Sequence, residues 1–494
     1  MNTTQDGQAN LRVEGRLSRL ISVSFRDPGG RVVIADGRAF RVVDSDYHDT
    51  IKAFLATPLS ADLVQRELLI DTSTVDDSEL RTQLIHITLP QRPDAMVLEH
   101  EYISFPSYPY EWPPEMLYAA GELTLDLMER LLAENLGLKD ASPYNVQYSG
   151  AKPIFIDLLS IERRDLKDPT WLAYAQFMRT FICPLLADKY FGVGLDQTFR
   201  IYRDGLRPEH VFRMTSTWQK VHPVFLTSVS LPALLSRMDP NRYQKIYRPR
   251  LSGSAEQASF ILGRQLRGLR RKLKAAKPVG VRKSSWDDYE DREAQIERNL
   301  PAKKLFVERA IKEHAPGSVL DVGCNRGYFS LLAARAGCSV VAIDQDPVVV
   351  GTLWRRAAEE KLDILPLVID ITRPTEGIGW RNLETRGFLD RALGYFQCVL
   401  MLAVIHHMLV TERIPLEEIL RLAWELTTDL LIIEFVPPDD SMFRLLTRGN
   451  ERLYEYLNRD LFESLSSKYF VIERTEQVAD SGRWLYQMRR AKVA

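Results

Sequence analysis

The spacing of hydrophobic and polar positions changes several times along the chain. Short apolar runs, Val32-Val33-Ile34, Phe40-Arg41-Val42-Val43 and Leu84-Ile85-His86-Ile87, lie between turn signals such as Asp27-Pro28-Gly29-Gly30 and Asp36-Gly37. Runs of this length and punctuation predict a small antiparallel sheet over residues 17–89. Beyond an aromatic, proline-rich stretch at 102–114, Leu117, Leu123, Leu127, Met128, Leu131 and Leu132 fall mostly on one helical face. The chain therefore turns from strand to helix near Pro114. Residues 171–250 predict more helix, cut into short pieces by Pro184, Pro208, Pro223 and Pro232, because proline lacks the N–H that a continuing helix needs. Residues 1–260 thus read as an α+β accessory domain.

Two further blocks follow. Leu262, Leu266, Leu269 and Leu273 keep heptad-like spacing, and nine basic residues with no acidic one lie between positions 264 and 283. This predicts a basic amphipathic linker helix over 261–283. It either lays its leucines on a domain with its charges in water, or docks on an anionic surface, an acidic polymer or a membrane. The junction is expected between Pro278 and Ser284. From Ser318 onward strand and helix alternate: 319–322, 329–336, 339–343, 348–360, 364–368, 398–402, 416–426 and 430–435. That alternation predicts an α/β domain over 284–494, a doubly wound and mainly parallel sheet with ligands at the carboxyl ends of its strands.

Composition narrows the function. With 494 residues, 45% hydrophobic and 27% charged, the chain has material for more than one core and is not mainly disordered. Lys and Arg number 65 against 66 Asp and Glu, a formal charge of -1, so no global field draws it to nucleic acid or membrane. The four cysteines, Cys183, Cys324, Cys338 and Cys398, have no CxxC spacing, which argues against a disulfide framework or structural zinc and for a reducing, cytoplasmic setting. The amino terminus has no apolar core of a signal peptide. The longest apolar stretch, 398–410, is broken by His406 and His407 and is too short to span a bilayer.

The first strand of the α/β block runs into Asp321-Val322-Gly323-Cys324-Asn325-Arg326-Gly327, and Asp344 ends the second strand 21 residues after Gly323. Gly323 and Gly327 permit a sharp turn and close approach to a ligand, and a carboxylate at Asp344 can accept both hydroxyls of a ribose. A dinucleotide fold would carry G-x-G-x-x-G, whereas Asp321 before the glycines would repel a pyrophosphate and suit a cation. Residues 319–327 resemble motif I of class I S-adenosylmethionine-dependent methyltransferases, a Rossmann-like family, and Asp344 resembles their ribose-binding acid. The resemblance implies S-adenosylmethionine as cofactor, with Asp321, Gly323, Asn325 and Gly327 at its methionyl part and Asp370 and Ile371 at its adenine. The segment 398–408 resembles the family's fourth strand and following His-His segment, although Gln397 stands where an Asp is usual.

Catalytic candidates are His406 and His407, either of which as a neutral imidazole could take a proton from an attacking hydroxyl. Two adjacent histidines without a third ligand imply no metal. Glu434 and Asp439, at the end of the fifth strand, could fix a polar substrate or cap a helix, and Tyr328, Phe329 and Trp380 could form aromatic walls. Proteins similar in arrangement occur in nodulation or surface-saccharide pathways, which implies a hydroxyl of a small molecule, glycan or lipid as acceptor. In the amino-terminal domain, Asp140, Asn145 and Asp157 have the D-x-x-x-x-N and later-Asp spacing of kinase-like phosphotransferases. That resemblance lacks a glycine-rich loop, a V-A-I-K lysine and a D-F-G. Besides a methyltransferase with a presenting domain, the chain could thus be a methyltransferase fused to an active kinase-like domain, or a cofactor-binding regulator without catalysis.

Overall fold

A computed structural model of the 494-residue chain describes residues 20–22, 27–238, 251–278, 290–478 and 481–491. Strands β1 (Leu20–Ser22), β2 (Gly30–Ala35) and β3 (Arg38–Val43) form a meander. The β2–β3 turn places Asp36 and Gly37 at φ of 49° and 76°, the paired left-handed geometry that matches strand twist. Helices α1 (His48–Leu55) and α2 (Pro58–Gln65) lead to β4 (Thr72–Thr74), α3 (Ser78–Thr88) and β5 (Met96–His100), and the sheet order is β1-β2-β3-β5-β4. One expected strand, Leu84 to Ile87, is helical and belongs to α3. Asp77 caps that helix by accepting from Glu79 and Leu80 N–H groups, and Leu80, Leu84 and Ile85 bury one helical face against Phe40 and Val42. Cap and i, i+4 burial together outweigh the β-branched local run.

Helix α4 (Pro114–Ala133) is buried along most of its length. It precedes two small two-stranded antiparallel sheets, β6 (Leu136–Leu138) with β9 (Ile161–Arg163), and the hairpin β7 (Val146–Ser149) with β8 (Lys152–Phe155). Helices fill much of 174–238. Pro208 and Pro223 each open one, where a missing N–H costs nothing, but Pro184 and Pro232 do not cut the chain as expected: each follows a π-helical turn, Met178–Ile182 or Leu226–Ser230, through which helix continues from Tyr174 to Phe191 and from Pro223 to Met238. The basic helix, α5 (Ala255–Ala276), starts earlier than expected because Ser254 caps it. Its leucines are buried in the amino-terminal core. The expected junction after Pro278 lies outside the described residues. Among the described residues no helix is long and apolar enough to cross a membrane.

The carboxy-terminal block opens with α6 (Glu290–His314), followed by β10 (Ser318–Val322), α7 (Tyr328–Arg335), β11 (Ser339–Asp344), α8 (Pro347–Glu360), β12 (Ile364–Val368), β13 (Phe396–Met401), α9 (Ile405–Val410), α10 (Leu416–Leu426) and β14 (Thr427–Phe435). An antiparallel hairpin, β15 (Phe470–Gln477) and β16 (Trp484–Arg490), completes the order β12-β11-β10-β13-β14-β16-β15. The first five of these run parallel. Their near-continuous burial reflects a sheet covered on both faces.

The two halves meet along the stretch 102–114. Glu111 and Arg391, 0% and 1% exposed at the side chain, form an ion pair across that boundary. The other Glu111 partners are Thr375, whose hydroxyl donates at 2.6 Å, and the Tyr108 N–H at 3.2 Å. Arg391 also donates to the carbonyls of Pro106 and Gly387, and its guanidinium sits 5.1 Å from the ring centres of both Phe105 and Tyr108. Tyr110 donates to Thr385 at 2.9 Å, Trp354 to the Ala151 carbonyl at 3.0 Å, and Arg355 pairs with Glu115. Removing one member of a dry pair leaves the other charge uncompensated, which typically costs about 3–5 kcal/mol. Arg391→Ala is therefore expected to destabilise the protein by about that amount in urea unfolding, against less than about 1 kcal/mol for a control at the exposed Arg421–Glu418 pair. Equal losses would show that the buried joint carries no special load.

Candidate active site

The parallel strands β10 to β14 end at one edge of their sheet, and the carboxy-terminal candidates gather along it. β10 carries Asp321 into the interior, where Ser330, from the first turn of α7, donates to it at 2.6 Å. No cationic side chain pairs with it among the described residues. Burial, reinforced by Asp344 and only partly offset by Ser330, pushes its carboxyl up to about 7. A buried carboxyl raised in this way at a strand end marks a candidate functional site.

After β10 the backbone is left-handed at Gly323, Asn325 and Gly327, with φ of 70°, 49° and 76°. A Cβ on Gly323 would stand 2.5 Å from Val404, and one on Gly327 would collide with Leu353. The turn is fastened to β11, since Gly323 and Cys324 donate N–H groups to the Ile343 carbonyl at 2.9 and 3.0 Å. Asn325 N–H donates to Asp344 at 2.9 Å and Asp346 N–H at 3.0 Å. Burial raises the Asp344 carboxyl above its ordinary range, and these N–H groups oppose the shift. After β12, Asp370 accepts from the Thr372 N–H at 2.9 Å and from its hydroxyl, and Ile371 is buried beside it.

β13 leads through Ala403, whose φ of 55° is left-handed and costs on the order of 1–2 kcal/mol in an L-residue, into α9. His406 is buried and His407 half-buried in the first turn, their ring centres 4.3 Å apart. At the next strand end the structure departs from expectation. Glu434 is wholly buried and accepts from Lys303 at 2.7 Å and Arg483 at 3.3 Å, so it ties β14 to α6 and β16 and does not offer itself to a substrate. The helix cap is Asp440, which accepts from Met442 N–H and pairs with Arg483; Asp439 is exposed. Of the aromatic candidates, Tyr328 and Trp380 are exposed and Phe329 packs on the sheet core. Gln397 has a local task, accepting from Gly317 N–H at 2.6 Å. Ser330, Lys303 and Arg483 escaped sequence reasoning; the one available signal was a lone serine on the apolar face of α7.

The amino-terminal trio also comes together. Asn145 donates to the Ser160 hydroxyl at 3.1 Å, and that hydroxyl donates to Asp157. Burial raises the Asp140 carboxyl, and the charges of Asp157 and Asp27 add to the rise. Asp157, however, is engaged by Arg41 at 2.7 Å. Burial acts against its ionisation, but Arg41, Ser160 and Lys139 outweigh it and hold the carboxyl below its ordinary range.

The chemistry of the first cluster fits S-adenosylmethionine, a cation carrying a ribose. Residues 292–427 match the family described as methyltransferase domain. The nodulation protein NoeA of Rhizobium meliloti strain 1021 is 30% identical over 481 residues, which cover 96% of each chain. Among solved structures, the N-methyltransferase NodS of Bradyrhizobium japonicum WM9 aligns with 39% of this chain and 97% of its own at 14% identity and a TM-score of 0.29. The magnesium protoporphyrin IX methyltransferase ChlM of Synechocystis PCC 6803 aligns with 46% and 94% at 18% identity and a TM-score of 0.30.

Because a cation binds the ionised form of Asp321, acidification through about pH 7 must compete with it. Cofactor affinity is expected to fall by up to about tenfold per pH unit below 7 and to level off above it. Calorimetric titrations across that range should show the slope in the wild type and lose it in Asp321→Asn. A wild-type affinity without pH dependence would contradict the assignment.

Proposed function

The chain belongs to the family of the nodulation protein NoeA and is an S-adenosylmethionine-dependent methyltransferase, and we propose that it methylates a hydroxyl of a small molecule, glycan or lipid. The observation that carries the site assignment is the dry Asp321 carboxylate, without a cationic partner, beside a left-handed glycine turn. Asp321 faces the cationic methionyl part, with Gly323, Asn325 and Gly327 shaping the cradle. Asp344 accepts the ribose hydroxyls, and Asp370 with Ile371 borders the adenine. When bound, S-adenosylmethionine supplies an electrophilic methyl group on a sulfonium.

The protein then has to orient an acceptor in line and keep water out. A hydroxyl oxygen is a weak nucleophile until its proton is removed, and His407, half-buried in the first turn of α9 after β13, is the base. His406 is buried beside it, the two ring centres 4.3 Å apart. Asp439, exposed at the neighbouring strand end, is free to orient a polar acceptor. A cytoplasmic location suits four cysteines that are all free and buried.

The amino-terminal unit, kinase-like in placing strands before helices, is assigned to presenting the acceptor. Two features support this over phosphoryl transfer: Arg41 already neutralises Asp157, and the unit grips the segment that follows Asp370 and Ile371. Magnesium-dependent ATP binding that Asp157→Ala abolishes would contradict that assignment.

The acceptor reading is tested by labelled methyl transfer to a panel of saccharides, lipids and small alcohols, alongside amines. Label is expected in a hydroxyl acceptor, with turnover lowered about 10²- to 10⁴-fold in His407→Asn and cofactor affinity unchanged. Label confined to amines, or full turnover in the variant, would overturn it.

A further inference from the structure

Among the described residues, helix α5 leaves one face without protein on it. Its leucines are buried, and its two edges are pinned: Arg270 pairs with Glu129 at 2.7 Å and with Asp126, and Lys272 donates to the Thr227 carbonyl at 2.8 Å. Between these edges Phe260, Arg264, Arg267, Arg271 and Lys274 are all exposed. Their spacing of four, three, four and three residues keeps them on one stripe, about 21 Å long at 1.5 Å per residue. None of the four cations has an acidic partner among the described residues; Arg264 instead lies 5.9 Å from the ring centre of Phe260, which is 61% exposed. Glu256, in the first helical turn near Ser254, is the acid closest to the start of the stripe. Like charges at i, i+3 and i+4 oppose a helix, and an anionic surface laid along the stripe removes that opposition.

The neighbouring surface narrows the partner. Lys272 joins α5 to the segment 226–230. The short helices on either side of that segment expose Trp218 at 85%, Val221 at 62%, and Leu231, Leu234 and Leu235. Aromatic and aliphatic side chains beside cations suit the headgroup boundary of a bilayer, where tryptophan rings settle and Lys or Arg meet anionic lipids. A nucleic acid would meet the cations with phosphates but has no apolar layer in which Trp218, Val221 and the neighbouring leucines could be buried. We propose that the exposed face of α5 docks the protein peripherally on an anionic membrane surface, independently of which acceptor it methylates.

The test is co-sedimentation of the full chain, at low salt, with phosphatidylcholine vesicles containing about 30% phosphatidylglycerol, and with phosphatidylcholine alone. The variants R264E/R267E/R271E/K274E and R264Q/R267Q/R271Q/K274Q change only exposed, unpaired side chains. The second, neutral set covers any loss of helix in the first, and far-ultraviolet circular dichroism and cofactor binding confirm that both are folded. The wild type is expected to bind the anionic vesicles at least about tenfold better than either variant, with binding that weakens as salt rises. Equal sedimentation of wild type and variants, equal binding to neutral vesicles, or a charge-dependent affinity seen with single-stranded RNA and absent with vesicles would each overturn the proposal.

Discussion

A carboxylate and a guanidinium with almost no water around them, Glu111 and Arg391, join the two halves of this chain at their most buried contact between charges. Ions in such a place are tolerated only when their remaining donors and acceptors are satisfied. Thr375, the Tyr108 N–H, the carbonyls of Pro106 and Gly387 and two aromatic faces do that here. The partners come from both halves, so neither half can satisfy the pair alone. The segment gripped in this way begins just after Asp370 and Ile371, on the edge assigned to the adenine. The accessory domain thereby contacts the segment that follows Asp370 and Ile371.

The second constraint is electrostatic. Asp321 and Asp344 are both buried carboxyls raised by that burial, and Asp344 raises Asp321 further, an arrangement that costs stability in the free protein. Ser330 and the Asn325 and Asp346 N–H groups reduce that cost without supplying a positive charge. A cationic ligand would supply it. At the other buried charge cluster of the sheet edge, Glu434 and Asp440 are already matched by Lys303 and Arg483, and the same logic makes that cluster structural. Asp157 with Arg41 is a third case, internally paired.

The parallel sheet was legible because its strands are continuous apolar runs at regular intervals and its first turn carries glycines where the backbone is left-handed. The residues proposed for the cofactor stood out for the same reason: each sits at or beside a strand end that the pattern marks. What was not legible depends on distance along the chain. Glu111 and Arg391 are 280 positions apart and Arg41 and Asp157 116, so no local spacing announces either pair. Glu434 was misread because a strand-end carboxylate looks alike whether it meets solvent or a lysine from a remote helix. Leu84 to Ile87 was misread because its β-like composition is overridden by the Asp77 cap and by burial against the sheet.

The most direct test of the account is calorimetric titration of S-adenosylmethionine into the wild type and into Asp344→Ala, each shown to be folded. Saturable binding by the wild type that weakens at least about tenfold in the variant is the expected result, since a lost hydrogen bond to a charged group is worth about 1.5–3 kcal/mol. Equal binding by the two proteins, or none by the wild type, would contradict the placement of the cofactor at the ends of β10 and β11.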